Sequence, residues 1–398
     1  MSISLSKIFS VLFLICAFFV RPSALGSNFT EIGLVLTVST TGLYLFLSLS
    51  KKISWNSISS NLIPLIIFLL FIGYETSISL IEGNSNLSFL VGDLLSQIII
   101  FVCFLIFLID VENNKFFFSY LLYLLSFFGW SSLATLILFN ISEPDNFLIF
   151  NYQMNDYPHT GDIVEAGQIY FPFSMTYDYI FNSDFFSLYR FSGFFRESGI
   201  FAAICCYSYV YGAMSNASKK IMIGIVFGIV LSFSTSGYFV FLTSIIGIYL
   251  LKNKITMFRT FSLLFLSVIS LYATFQAPIV GLSYKANTEG YSDSVDRRSD
   301  ALILGLKKTI NKPFGEGMYS AKTENTGVNL IANIGSIGVI GFLLQIVLMS
   351  GFRFSFDRLF RRRFLILSPV FLTLLLAQSI AATPFVYSLI FVRPPEKL

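Results

Sequence analysis

Charged residues are scarce in this chain of 398 residues: they make up 12% of it, whereas hydrophobic residues make up 55%. A soluble domain typically carries about 25% charged residues, so this chain has too little polar surface to cover a body that faces water. Its mean hydropathy of +0.76 points the same way. The composition therefore excludes a soluble globular protein and predicts an integral membrane protein.

Histidine and cysteine are also rare, which excludes several kinds of site. One histidine, His159, cannot form a metal site alone. The four cysteines all lie within apolar runs, where cysteine is typical of a small buried hydrophobic residue and not of a disulfide or a metal ligand. We therefore expect no metal and no cofactor.

The chain lacks the glycine loop with a lysine that cradles nucleotide phosphates, and it lacks repeats of fixed period. Its net charge of +4 comes from 26 basic and 22 acidic residues, a balance that does not favour nucleic acid as a partner. An ATP-driven machine and a nucleic-acid-binding protein are both disfavoured.

Long apolar runs are abundant. A spanning helix needs about 20 mostly apolar residues. The run 221–251 is too long for one helix and is broken by the polar string FSTSG at 233–237, which predicts two short helices. The piece 384–392 is too short to cross alone and is expected to complete a broken last helix. The sequence thus predicts an all-α, polytopic membrane protein with 11 or 12 spans, the remaining runs lying at 8–20, 31–50, 61–81, 90–109, 116–139, 198–214, 258–275, 328–351 and 364–382.

The distribution of lysine and arginine predicts which loops face the cytoplasm. With a cytoplasmic N-terminus, most basic residues fall in short cytoplasmic loops, including the cluster at 361–363. Removal of the first apolar segment as a secretory signal would invert every loop, so we expect this segment to be retained. The predicted organisation is a first group of helices in 1–139, a large periplasmic loop at 140–197, helices in 198–275, a second periplasmic loop at 276–325 and the C-terminal helices in 326–398.

The first outer loop is rich in aromatic residues. Tyr152, Tyr157 and Tyr170 combine flat apolar faces with hydroxyl groups, a combination that suits contact with a sugar. An aromatic belt at the membrane interface explains them equally well.

The same loop closes with RFSGFFRESG at 190–199. Arg190 and Arg196 lie close to each other in the sequence, with Glu197 beside the second. A guanidinium group can hold a diphosphate through two hydrogen bonds, although arginines also anchor helix ends among lipid phosphates. Two arginines, a glutamate and two glycines within ten residues favour the diphosphate site.

The second outer loop predicts an amphipathic helix from Asp296 to Ile310, with acids at its start and lysines at its end. Arg297 and Arg298 on this helix are expected to share a surface with the arginines of the first loop. A Gly-x-Gly turn follows, and then Glu324 and Asn325, which are candidates for a general base and a hydrogen-bond donor. The N-terminal cap of the next helix is an equally good explanation of that pair.

Taken in order, these motifs resemble the O-antigen polymerase and ligase superfamily of bacterial envelope enzymes. The resemblance covers roughly 190–342: an Arg-x-x-Gly stretch opening a span, the broken FSTSG segment, the helix with two arginines, the Gly-x-Gly turn and a helix with Gly335, Gly338 and Gly341. It implies a GT-C-like glycosyltransferase architecture in the bacterial inner membrane, with the active site on the periplasmic side. In the ligase branch a His-Asn pair stands about eleven residues before the glycine that matches Gly335. Glu324 and Asn325 occupy those positions here, which favours a polymerase.

The resemblance implies a transfer of glycan from polyprenyl diphosphate to a sugar hydroxyl, with lipid-linked glycan as donor and acceptor, membrane lipids around the protein, and a chain-length regulator as a partner protein. The residues expected to contribute are Glu324, Arg190 and Arg298 in catalysis, Arg190, Arg196, Arg297 and Arg298 in holding the diphosphate, and Tyr152, Tyr157, Tyr170 and Asn325 in contacting the sugar.

Three other functions stay open at this point. A ligase has the same fold, and the missing histidine is the mark against it. A flippase for lipid-linked glycan is a transporter and should carry ionisable groups within several spans, where Glu75 and Asp93 are the clear cases. A structural scaffold would need none of the outer arginines.

Overall fold

The computed structural model describes residues 4–48, 55–82, 87–155, 163–183, 186–252, 292–317, 329–351, 358–377 and 383–395, with a few single positions between 253 and 291. Within this part of the chain, long helices account for most residues. The helices are α1 (Leu5–Phe18), α2 (Ala24–Asn28), α3 (Thr30–Leu47), α4 (Trp55–Ile81), α5 (Leu87–Leu108), α6 (Val111–Phe139), α7 (Ser198–Ser215), α8 (Lys219–Leu231), α9 (Thr235–Lys252), α10 (Ser292–Asn311), α11 (Ile334–Met349), α12 (Arg358–Leu376) and α13 (Pro384–Leu389).

Four of the described helices are long and apolar enough to cross a membrane, at Thr30–Leu47, Leu62–Ile81, Val91–Leu108 and Val111–Phe139. Three more apolar helices are shorter, at Leu5–Phe18, Thr235–Leu251 and Ile334–Met349. Helices suit this composition because a helix satisfies its backbone hydrogen bonds internally, which lipid requires. The structure therefore supports a helical membrane protein, while 11 or 12 spans remain a prediction.

The predicted break in the run 221–251 is confirmed. The first helix ends at Leu231 and the next begins at Thr235, with Phe233 in a left-handed conformation between them (φ 46°). The serine hydroxyls of this link replace missing helical partners: Ser234 Oγ accepts from the backbone N–H of Gly237 at 3.2 Å.

The expectation of an all-α protein is wrong in one region. Four strands between residues 148 and 191 form an antiparallel sheet in the order β1-β2-β3-β4. This segment is rich in aromatic and β-branched side chains, which favour strands. The segment predicted to be a binding loop therefore forms a folded sheet. The strands are β1 (Leu148–Asn155), β2 (Ile163–Tyr170), β3 (Ser174–Ser183) and β4 (Phe186–Phe191).

The sheet packs on the C-terminal end of α6. The ring of Tyr170 meets that of Phe139 edge-on, with centroids 4.8 Å apart, and Thr135 Oγ1 donates to the carbonyl oxygen of Phe171 at 2.9 Å. We call this end of the helix bundle the sheet end.

Interlocking aromatic rings fill the core of the bundle. Phe13 stacks on Phe107 with centroids 4.0 Å apart, joining α1 to α5. Helices α6 and α8 touch through glycines: a Cβ atom added at Gly129 would lie 1.8 Å from the carbonyl oxygen of Gly224. Small residues allow such close backbone contact between helices in lipid.

The C-terminal segment runs through the bundle, and residues 383–392 are all buried. At the sheet end the backbone N–H of Phe385 donates to the carbonyl oxygen of Arg21 (3.2 Å), and at the opposite end the N–H of Arg393 donates to Asn114 Oδ1 (3.1 Å). A short helix followed by non-helical chain thus connects the two ends. We call the end that holds residues 390–395 the tail end.

The predicted amphipathic helix is present as α10, and it packs against the chain that leads into α11, with Gly305 directly on the backbone of Ala332. The turn after α10 is equally tight. Gly315 and Gly317 both have φ +84°, and a Cβ atom at Gly315 would lie 2.3 Å from the carbonyl oxygen of Ser336. Only glycine fits such positions, so the Gly-x-Gly motif fixes α10 to the bundle.

Candidate functional site

The candidate site begins with residues 190–197, which connect β4 to α7 at the sheet end. Gly193 takes a left-handed conformation (φ +57°), and a Cβ atom there would lie 2.7 Å from the ring of Phe201. The N–H of Ser192 donates to the carbonyl of Met175 at 2.9 Å, which ties the turn to β3. The turn therefore fixes the backbone between Arg190 and Glu197.

A second strand-like segment holds this connection in place. Ser23 forms an antiparallel bridge with Phe195, and the N–H of Arg196 donates to the carbonyl of Pro22 at 3.1 Å. The carbonyl of Arg21, the residue before Pro22, accepts from the N–H of Phe385 at 3.2 Å. The backbone of a third arginine thus lies next to the residue that pairs with Arg196.

Charged side chains from separate parts of the chain influence one another electrostatically at this point. Arg298 on α10 interacts electrostatically with both Glu197 and Arg190, and Arg190 also interacts with Tyr238 on α9. Arg190 and Arg298 lie more than 100 residues apart in the sequence. The end of β4 and the starts of α7, α9 and α10 thus converge on one place.

Arg298 is exposed to solvent, and the protein around it nevertheless affects its charge. Desolvation by that protein is the main influence that lowers its pKa; Glu197 acts in the opposite direction and Arg190 lowers it further. A group that water reaches but that protein surrounds can bind an anion more strongly than a group on a convex surface can.

Neither partner of Arg298 is fully engaged elsewhere. Arg190 is half-buried, and its Nε atom is buried without a hydrogen-bond partner. Glu197 stands at the N-cap of α7, where its side chain makes no capping hydrogen bond. The arrangement therefore offers two cations with one carboxylate between the sheet and the helices, which is suited to a polyanionic ligand.

The tyrosines predicted to contact sugar take other positions. Tyr170 is 1% exposed, and its hydroxyl donates to Gln168 Oε1 at 2.7 Å. Its ring is covered by Phe139 and Tyr189, so no sugar can stack on it, and this part of the prediction is corrected. Tyr152 is half-buried, and its hydroxyl donates to the carbonyl of Ala24 at 3.1 Å.

Burial raises the pKa of both tyrosines to about 12, so both stay neutral and act in packing. They secure the sheet on α2 and α6. The sheet in turn carries Arg190 at the end of its last strand.

The remaining predicted site residues are placed only in part. Arg196 is half-buried and contributes the backbone bond to Pro22. The backbone of Arg297 lies in α10 next to Arg298. Tyr157, Glu324 and Asn325 lie outside the described residues, as does His159.

Two residues at this place, Tyr238 and Arg21, are not among the predicted site residues. Tyr238 directly follows the string FSTSG, and a helix break before an aromatic hydroxyl is the signal that points to it. Arg21 gives no comparable signal, because its position depends on a pairing between segments that are far apart in the sequence.

Among the described side chains, no group of three or more histidine, cysteine, aspartate or glutamate residues is placed to hold a metal ion. Compared with known proteins, the chain matches no protein-family model, no curated protein and no solved structure. Its functional assignment therefore depends on its own motifs and geometry.

Proposed function

We propose that this protein is a glycosyltransferase that joins polyprenyl-diphosphate-linked oligosaccharide units into a surface polysaccharide. The proposed site is at the sheet end, on the periplasmic face of the bacterial inner membrane. The observation that carries the proposal is that Arg190 and Glu197, which begin and end the connection from β4 to α7, both act electrostatically on Arg298 of α10.

The chemistry needs positive charge where the leaving group forms. An acceptor hydroxyl oxygen bonds to the anomeric carbon of the donor, and the bond from that carbon to the diphosphate oxygen breaks. Polyprenyl diphosphate leaves with the electron pair, and Arg190 and Arg298 stabilise its negative charge. No nucleotide is consumed, because the donor bond itself supplies the energy.

The hydroxyl proton must pass to a base. We assign this role to the carboxylate of Glu324, whose segment leads from the Gly-x-Gly turn to α11. Glu197 then has a different role, because its carboxylate is the counter-charge of Arg298. Arg196 and Arg297 belong to the same two segments in the sequence, and we assign them to holding the diphosphate as well.

The test compares arginines at the two ends of the bundle in a host strain that lacks the native protein. Arg190→Ala and Arg298→Ala should each reduce long-chain polysaccharide at least about a hundredfold, leaving single repeat units, because one charge-stabilising group is lost. Arg361→Ala is the control, since that exposed arginine lies on α12. Gel ladders give the chain length, and immunoblots of washed membranes give the amount of inserted protein. Normal ladders from both variants contradict the proposal.

One observation favours a second candidate, transport of lipid-linked glycan. Glu75 is only 1% exposed and lies within the apolar helix segment Leu62–Ile81. Buried acids within spans are typical of transport pathways. The same deletion strain separates the two functions: loss of the polymerase leaves lipid-linked single units accessible to an impermeant glycosidase outside the membrane, whereas loss of a transporter leaves them protected inside.

A further inference from the structure

The turn between β2 and β3 is hydrogen-bonded to the side of α6. It consists of Phe171, Pro172 and Phe173, and Thr135 on α6 holds it: Thr135 Oγ1 donates to the carbonyl of Phe171 at 2.9 Å, and Ser174 Oγ donates to Thr135 Oγ1 at 2.6 Å. Thr135 stands four residues before Phe139, the last residue of α6. At about 1.5 Å per helical residue, the turn reaches about 6 Å below the end of that apolar helix.

The two aromatic side chains of this turn are open. Phe171 is 59% exposed and Phe173 is 52% exposed, whereas Ile169 and Met175 in the adjoining strands are buried. The turn and its adjoining residues, 166–176, contain no charged residue, and neither does the neighbouring part of α6 at 131–139. A water-facing hairpin has no physical reason to present two bare phenyl rings without a charge nearby.

The backbone of the turn gives independent support. Phe173 has φ 139°, a conformation that favours glycine and that a bulky residue adopts only under strain. Glycine at this position would relieve the strain, so the phenyl ring must contribute something that offsets it. Within the folded chain that ring is half-exposed, which directs attention to a contact outside the protein.

We propose that the β2–β3 turn inserts Phe171 and Phe173 into the lipid leaflet on the side where α6 ends. Lipid is the occupant because α6 is itself long and apolar enough to cross a membrane, and the turn is hydrogen-bonded to it within its last apolar turns. Ile137 and Ile141, at the same level of α6 and just beyond it, are 53% and 74% exposed. The inserted turn holds the sheet at a fixed height above the bundle.

Spin labelling tests this insertion directly, because the four native cysteines are all buried and free and will label poorly. Nitroxide is attached to the variants F171C and F173C in liposomes of phosphatidylcholine and phosphatidylglycerol. Ile137→Cys on α6 is the lipid-facing reference, and Gln153→Cys on the exposed part of β1 is the aqueous reference. Collisions with oxygen report lipid, and collisions with a water-soluble nickel chelate report water.

Labels at positions 171 and 173 are expected to collide more often with oxygen than with the nickel chelate, as at position 137, and the reverse is expected at position 153. Nickel accessibility at 173 equal to that at 153 overturns the proposal. Low accessibility to both reagents also overturns it, because that result indicates a protein contact such as a second copy of the chain. If either cysteine variant fails to insert, Phe173→Trp gives the same information through quenching by brominated lipids against the background of the native Trp55 and Trp130.

Discussion

The two ends of the helix bundle use arginine in opposite ways. At the tail end Arg362 and Arg363 are 3% and 1% exposed, and Arg362 Nη1 donates to the carbonyl of Pro395 at 3.0 Å. Arg363 donates to the carbonyl of Ile390, and Arg393 donates to that of Ile109. Each of these guanidinium groups thus donates a hydrogen bond to a backbone carbonyl oxygen that lies outside the regular helices.

At the sheet end two arginines act on each other and on a carboxylate. Arg298 is exposed and interacts electrostatically with Arg190 and Glu197, and the half-buried Arg190 also interacts with Tyr238. Two like charges held close together are unfavourable unless a ligand or a carboxylate compensates them. The tail-end arginines therefore stabilise the fold, whereas Arg190 and Arg298 at the sheet end are the pair proposed to hold a diphosphate.

The largest expected effect comes from the tail end. Arg363→Ala leaves the carbonyl of Ile390 without its donor inside the bundle and should lower the free energy of unfolding by about 3 kcal/mol or more. Thermal unfolding in detergent measures the loss. The neighbouring exposed Arg361→Ala should change stability by no more than about 0.5 kcal/mol. Equal effects of the two variants would contradict the structural role given to the buried arginines.

A smaller effect is expected from the glycine that shapes the sheet end. Gly193→Ala adds a Cβ atom 2.7 Å from the ring of Phe201 at a residue with φ +57°. The strain should lower the free energy of unfolding by about 2 kcal/mol. Under the proposed function, polysaccharide chain length should fall further than this loss explains, because the turn fixes the backbone between Arg190 and Glu197.

Gly42→Ala is the matched control, because a Cβ atom there has nothing within 4 Å. The Gly193→Ala variant is compared with it by thermal unfolding and by gel ladders from the same membranes. If the Gly193→Ala protein is destabilised but makes polysaccharide of normal chain length, the turn contributes to stability and not to activity.

The helical part of this fold is predictable from the sequence because lipid leaves few alternatives. An apolar run of sufficient length must satisfy its backbone internally, so hydropathy alone indicates the runs that form α3 to α6. The break at Ser232–Ser234 is equally evident, since polar residues interrupt a run too long for one helix.

The sheet is not predictable by the same reasoning. Its strands alternate poorly, with irregular register at Leu148/Phe150 and between Thr176 and Phe181, so the two-residue period of a half-buried strand is blurred. Tyr170 illustrates the consequence. In a predicted loop this tyrosine is assigned to sugar binding, whereas in the structure it is buried within the sheet.

The candidate site is predictable in its chemistry and less so in its geometry. Arginines in two loops predicted on one side indicate a shared surface, and Arg190 acts electrostatically on Arg298, while their joint role as a site stays a prediction. Arg21 and Tyr238 join them through pairing and packing between distant segments, which no local pattern reports.

The smallest expected effect concerns Glu197, the carboxylate that acts on Arg298 together with Arg190. Glu197 compensates part of the positive charge around Arg298, so a bound diphosphate competes with it. Glu197→Gln should therefore bind donor more tightly, lowering KM about fivefold, which corresponds to about 1 kcal/mol for one charge at short range in water. The product, polyprenyl diphosphate, is held more tightly for the same reason, so kcat should fall by a similar factor.

Initial rates over a range of donor concentrations separate these terms, and Glu143→Gln on the exposed link after α6 is the control. A fall in both constants is specific to a competing charge, because a purely structural defect lowers kcat without tightening the binding of donor. An increase in KM would instead mean that Glu197 orients Arg298 toward the diphosphate. In that case the sheet-end carboxylate would resemble the carbonyl oxygens of the tail end, since it would hold an arginine in place.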